Sequence, residues 1–144
     1  MGENAEPTNV AEQALWLFAH EHNCSQAVLK ALGPDLGLSA ELAGCVASAF
    51  GGGIVRRAEI CGAVTGALMV LGLRHQGKRD LVYPAGQDFI ERFRARHGSI
   101  SCRELLPCDL STDAGRLEAR EKGYHASICA GLVRSAVEIL DEMA

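Results

Sequence analysis

Six cysteines, at positions 24, 45, 61, 102, 108 and 129, are the residues of this chain best suited to chemistry. No two are spaced as CxxC, so an adjacent dithiol of the thioredoxin type is absent. There is no CxxCH for haem attachment, and zinc-ribbon and zinc-finger spacings are missing. Cys24, Cys61 and Cys102 fall within about a turn of expected helix starts, and Cys129 falls in the first turns of the last expected helix. Helix amino ends carry unpaired N–H groups and partial positive charge, and both favour thiolate over thiol. Metal ligation, iron–sulfur ligation and nucleophilic thiol chemistry all need that thiolate. The plain alternative is packing, since free cysteine behaves as a small buried hydrophobe. The intervals of 37, 41 and 27 positions are not diagnostic, so only a tertiary fold can bring the four together.

The elements that would do so read as helices, because strand signals are nearly absent. A first helix is expected to start near Asn9, with Glu12 at capping-box spacing and Val10, Ala14, Leu17 and Phe18 as its apolar stripe. Asn23 recaps the chain, Cys24 opens a second helix, and Gly33-Pro34 stops it. Ser39 caps a third helix that buries Leu42, Ala43, Val46 and Ala47 and ends at Gly51-Gly52-Gly53. A fourth, apolar over most of its surface, is expected over 60–73. Its Gly62 and Gly66 lie four apart and share a face, which predicts close approach of a backbone or cofactor. Further helices are expected over 86–97, with Phe89, Ile90 and Phe93 inward, and over 102–106, with Ser101 and Glu104 at capping-box spacing. A polar helix over 113–121 and a last one over 125–143, burying Ile128, Leu132, Ala136 and Ile139, complete the series. The expectation is an all-α fold: one irregular helical bundle spanning 1–144, with residues 1–7 a flexible tail.

Composition agrees. A chain of 144 residues, 48% hydrophobic and 22% charged, has enough apolar content to bury a core unaided. Net charge of −4 argues against a nucleic-acid binder, and Arg92, Arg94 and Arg96 do not share one helix face. No apolar run approaches the length of a spanning helix, so no direct membrane insertion is expected. With no leader pattern at the start, the expected compartment is the cytoplasm, where disulfide staples are rare.

Asn23-Cys24-Ser25-Gln26-Ala27-Val28, the stretch Phe50-Gly51-Gly52-Gly53, and Cys61-Gly62-Ala63-Val64-Thr65-Gly66-Ala67 carry a resemblance. With Cys102-Arg103-Glu104-Leu105-Leu106 and Cys129, they resemble the signature of the redox-active C_GCAxxG_C_C family over about residues 10–140. The resemblance implies an all-helical bacterial or archaeal protein whose four cysteines form one site. A related domain occurs in split-Soret cytochromes, for which an iron–sulfur centre has been proposed. It therefore implies Cys24, Cys61, Cys102 and Cys129 as metal ligands, with Gly52, Gly53, Gly62, Thr65 and Gly66 around the cofactor. Cys45 and Cys108 lie outside the pattern. Cys45 reads as packing in the third helix, and Cys108 is placed to reach a site or to pair with Cys102.

Other candidates weigh less. The glycine stretch is neither a Walker A motif nor GxGxxG; it reads as a helix stop with a tight turn, with a loop whose backbone N–H groups approach the Cys61 thiolate or its cofactor as the alternative. Thr65 can bond back to a helix carbonyl. Arg56 and Arg57 read as solvated, with stabilisation of a nearby thiolate as the alternative, and His125, four residues before Cys129, is the histidine best placed to join a cysteine site.

Three functions stay open. The first is an iron–sulfur or other cysteine-ligated redox centre serving an unidentified redox partner, with zinc as the structural variant. The second is metal-free thiol–disulfide exchange, with Cys61 or Cys102 as attacker. The third is a helical assembly module with buried thiols, in which the apolar fourth and last helices form a homodimer interface.

Overall fold

A computed structural model describes residues 9–144; the tail expected at 1–7 lies outside them. Among the described residues the fold is all-α, with eight α-helices and no strand. The helices are α1 (Val10–Ala19), α2 (Cys24–Leu32), α3 (Ala40–Val46), α4 (Gly62–Arg74), α5 (Arg79–His97), α6 (Cys102–Leu105), α7 (Asp113–Lys122) and α8 (Ala130–Glu142). Short 3₁₀ turns follow α2 and α3, at Pro34–Leu36 and Ser48–Phe50, and a wide π turn, His125–Cys129, leads into α8.

The core lies between α2, α4, α5 and α8. Val28 and Leu29, Val64 and Leu71, Phe89 and Phe93, and Val133 and Leu140 are all buried there. The apolar faces of α4 and α8, expected to be available to a second copy, are thus largely covered within the chain itself. The α2–α4 crossing is close because α4 presents glycine. A Cβ on Gly62 would stand 2.9 Å from the Phe50 carbonyl oxygen, and one on Gly66 would stand 2.9 Å from that of Ser25.

Several elements differ from expectation. In α3, Leu42 and Val46 face solvent while Ala43 and Ala47 are buried. The helix docks by its small residues, with Gln26 Nε2 donating to the Gly44 carbonyl at 2.9 Å, so the bulky side turns out. Cys45, expected to be packing, is exposed with it. Val10 of α1 is also exposed, although Ala14 and Phe18 are buried and Asn9 caps the helix by accepting from the Glu12 N–H at 2.8 Å.

Helix α5 starts at Arg79 and runs through Pro84. Its first turns are exposed, so the carbonyl that Pro84 cannot serve reaches water. The Ser101–Glu104 capping box does not form. The chain at Ser101 instead makes an isolated antiparallel bridge with Ile60, and its N–H is taken by Ser99 Oγ. Ile128 is only partly buried because the π turn shifts it off the α8 stripe. Arg92 and Arg96 pair with Glu142 and Glu138 across α5 and α8. Exposed pairs of this kind contribute at most about 1 kcal/mol each. Among the described residues no helix is long and apolar enough to cross a membrane.

Candidate functional site

Cys24 is the first residue of α2, which is held by a complete capping box. Asn23 Oδ1 accepts from the Gln26 N–H at 2.8 Å, and Gln26 Oε1 accepts from the Asn23 N–H at 3.0 Å. Asn23 Nδ2 also donates to the Ser48 carbonyl at 3.1 Å, tying this helix start to the segment before the glycines. Asn23→Ala removes the bonds its side chain makes to Gln26 and Ser48 and breaks the box. It should cost about 2 kcal/mol, read as a fall of about 5 °C or more in the thermal unfolding midpoint. An unchanged midpoint would refute the role given to this cap.

Cys61 is the N-cap of α4, and Cys102 opens α6. Two backbone bonds lock these segments side by side: Cys61 N–H to Ile100 O at 2.8 Å, and Cys102 N–H to Glu59 O at 2.6 Å. Cys129 ends the π turn. Its placement depends on that extra-wide turn, in which the Ala130 N–H reaches back to the His125 carbonyl.

The glycine stretch does more than end a helix. Helix α3 has already stopped at Val46. Gly52, Gly53, Ile54, Val55 and Arg56 then form a consecutive left-handed run with φ of 63°, 70°, 65°, 43° and 59°. For residues other than glycine this hand costs roughly 1–2 kcal/mol each. The run is held by Val55 N–H to Ala49 O (2.8 Å), Arg56 N–H to Gly51 O (2.9 Å) and Glu59 N–H to Gly53 O (2.8 Å). It lays Gly53 so close to α6 that a Cβ there would stand 2.7 Å from Cys102 Cβ.

These segments line one half-open cavity of about 660 Å³. Cys24, Cys61, Cys102 and Cys129 all line it, with Gly52, Gly53 and Gly62. Thr65 and Gly66 do not. Thr65 Oγ1 donates to the Gly62 carbonyl at 3.2 Å within α4, and Gly66 packs on Ser25 and Val28 at the helix crossing. Cys108 is half-buried in the loop after α6, off the cavity wall. Arg116 and Arg120 of α7 join the lining. Nothing in the cysteine pattern points to them, although two arginines four apart share one helix face.

The thiols are not equivalent. Cys24 donates its S–H toward Cys129, which raises its own pKa; burial and the charges of Cys61, Cys129 and Cys102 add to the rise. The same hydrogen bond lowers Cys129 against the pull of burial. Burial pushes Cys61 up to about 11 despite the opposing N–H groups of Ala63 and Val64 at the start of α4. Burial and the charges of Cys61 and Cys129 push Cys102 up to about 12. Helix-start N–H groups alone therefore do not decide the protonation state. Cys61 and Cys102, expected to be the attackers, are the thiols that burial keeps protonated, and Cys129 is the one favoured as thiolate. His125 also lines the cavity, stacked on Phe18 with ring centroids 3.9 Å apart. Burial holds its pKa down, partly offset by a bond to the Phe18 backbone.

Among the described residues no three His, Cys, Asp or Glu side chains stand together as a ready site for a single metal ion. The four thiols are spread over the cavity wall.

The chain is thus an all-helical domain in which four cysteines from separate segments line one glycine-walled cavity. The family model described as "Putative redox-active protein (C_GCAxxG_C_C)" matches residues 22–143. The chain belongs to this family. No curated protein and no solved structure matches it.

Proposed function

We propose that Cys24, Cys61, Cys102 and Cys129 hold an iron–sulfur cluster used for electron transfer or redox sensing. The observation that carries this reading is the convergence of four thiols, from four separate segments, on one cavity of about 660 Å³. The donor set fits: it is all sulfur, which suits iron–sulfur clusters. The wall fits too. Glycine stands where a Cβ would meet Cys102 Cβ at 2.7 Å or Cys24 Cβ at 3.0 Å, so the backbone closes up on the cysteine-bearing segments. When bound, the cluster supplies one-electron chemistry. The chain buries the thiols, keeps their charges within reach of one another, and holds Cys61 and Cys102 in register through the Ile60–Ser101 bridge. Four thiolates repel, so the site is charge-balanced only with protons, a cation or disulfides.

The Cys24–Cys129 hydrogen bond favours a second reading, a metal-free dithiol. Cys129 thiolate attacks an external disulfide and releases one thiolate. Cys24 sulfur then displaces the second thiolate, giving up its proton, and the Cys24–Cys129 disulfide forms as the external disulfide is reduced.

Analysis of iron and acid-labile sulfide in protein purified without oxygen tests both readings. Iron with sulfide is expected in the wild type, lost in Cys24→Ser, Cys61→Ser, Cys102→Ser and Cys129→Ser, and kept in Cys45→Ser and Cys108→Ser. Iron-free protein that reversibly loses two thiols, only when Cys24 and Cys129 are both present, supports the dithiol. Stoichiometric zinc without sulfide, or four thiols that never oxidise or bind metal, overturns both.

A further inference from the structure

The cavity wall beyond the cysteines is uneven in charge. It includes Arg56, Arg116, Arg120 and His125 and no Asp or Glu, in a chain of net charge −4. Arg116 is occupied, donating to the Leu110 carbonyl at 2.8 Å and paired with Asp113. Arg56 and Arg120 are exposed and make neither an ion pair nor a side-chain hydrogen bond among the described residues. They come from different elements, the left-handed run and α7. The same wall has an apolar part, built from Val55, Leu105, Leu110 and Leu132.

We infer that this cavity binds a small amphipathic anion, an organic phosphate or carboxylate, beside the cysteines. Arg56 and Arg120 receive the charged end, because an unpaired guanidinium offers a planar fork of donors that matches a phosphate or carboxylate. The carbon skeleton lies on the leucine wall beside the thiols. A volume of about 660 Å³ lies in the range typical of small-molecule sites, and a concave wall suits a small ligand better than the flat face of an acidic protein. The binding does not depend on the redox reading above, because its residues are not the thiols.

Calorimetric titration with 2-naphthyl phosphate, 2-naphthol and inorganic phosphate separates the two contributions. The naphthyl phosphate should bind more tightly than either fragment, and Arg56→Gln/Arg120→Gln should weaken it about 10-fold or more while leaving naphthol unchanged. Arg57→Gln, an exposed neighbour off the cavity wall, should bind as the wild type does. Neither arginine is a thiol, so iron, sulfide and thiol content should be the same in wild type and double variant. Those contents read the redox centre independently of the titration. Equal affinity for naphthyl phosphate and naphthol, or for wild type and double variant, overturns the inference. So does absence of small-anion binding together with slower electron exchange between the double variant and an acidic protein, which would make the arginines a protein-docking patch.

Discussion

Gly66→Leu is expected to destabilise the chain by at least about 3 kcal/mol, a fall of roughly 10 °C in the thermal midpoint, or to prevent folding. Glycine inside a helix costs about 1 kcal/mol relative to alanine, so propensity alone would make a substitution here favourable. Packing reverses the sign. A Cβ at Gly66 would stand 2.9 Å from Ser25 O and 3.0 Å from Ser25 Cα, both backbone atoms that cannot swing aside. Gly66→Ala measures the same effect in milder form and should still lose stability. At Gly72, on the same helix, an added Cβ would meet nothing within 4 Å, so Gly72→Ala should gain up to about 1 kcal/mol. Thermal unfolding of the three variants decides the matter: a Gly66→Ala chain as stable as Gly72→Ala would remove the close crossing from the account of this fold.

Alkaline pH should destabilise the metal-free chain through its buried thiols. Cys61 rises from 9.0 to about 11 on folding, so between those values the unfolded chain has already lost a proton that the folded chain retains. Stability is fully present below pH 9 and falls as pH rises toward 11, by about 3 kcal/mol for this one group. Cys102 acts in the same direction. Cys129 acts oppositely: its lowered value contributes stability above pH 9 that is lost as pH falls through its folded pKa. The thiols together therefore place a stability maximum near pH 9. Urea unfolding of wild type and Cys61→Ala at pH 8, 9, 10 and 11 isolates the Cys61 share as the difference between the two curves. Parallel curves across that range would show that Cys61 titrates normally and is not buried as described.

Much of the helical order is legible in the sequence because its signals are local. Asn9 and Asn23 cap helices through side-chain oxygens. The Gly62/Gly66 spacing announces a close crossing, and it is there. The misreadings arise where a neighbour outweighs a local pattern. Leu42 and Val46 follow a helical stripe, but α3 docks through Ala43 and Ala47. Pro84 is a breaker by type, yet it stands in an exposed first half of α5 where its missing bond is cheap. Helix-start position favours thiolate at Cys61, but burial depth, which no spacing encodes, dominates. Arg120 meets the cavity from a distant stretch of chain, so nothing in its own surroundings assigns it there, whereas Arg56, five residues before Cys61, can be weighed against a nearby thiolate.

The left-handed run at 52–56 also leaves one wall of the cavity little room for change. Ile54, Val55 and Arg56 each prefer the opposite hand, and the hydrogen bonds that hold the turn, such as Glu59 N–H to Gly53 O, lie within residues 49–59. What the rest of the fold adds is the packing of Gly53 on Cys102, so a side chain at Gly53 would disturb the turn and a thiol-bearing segment together.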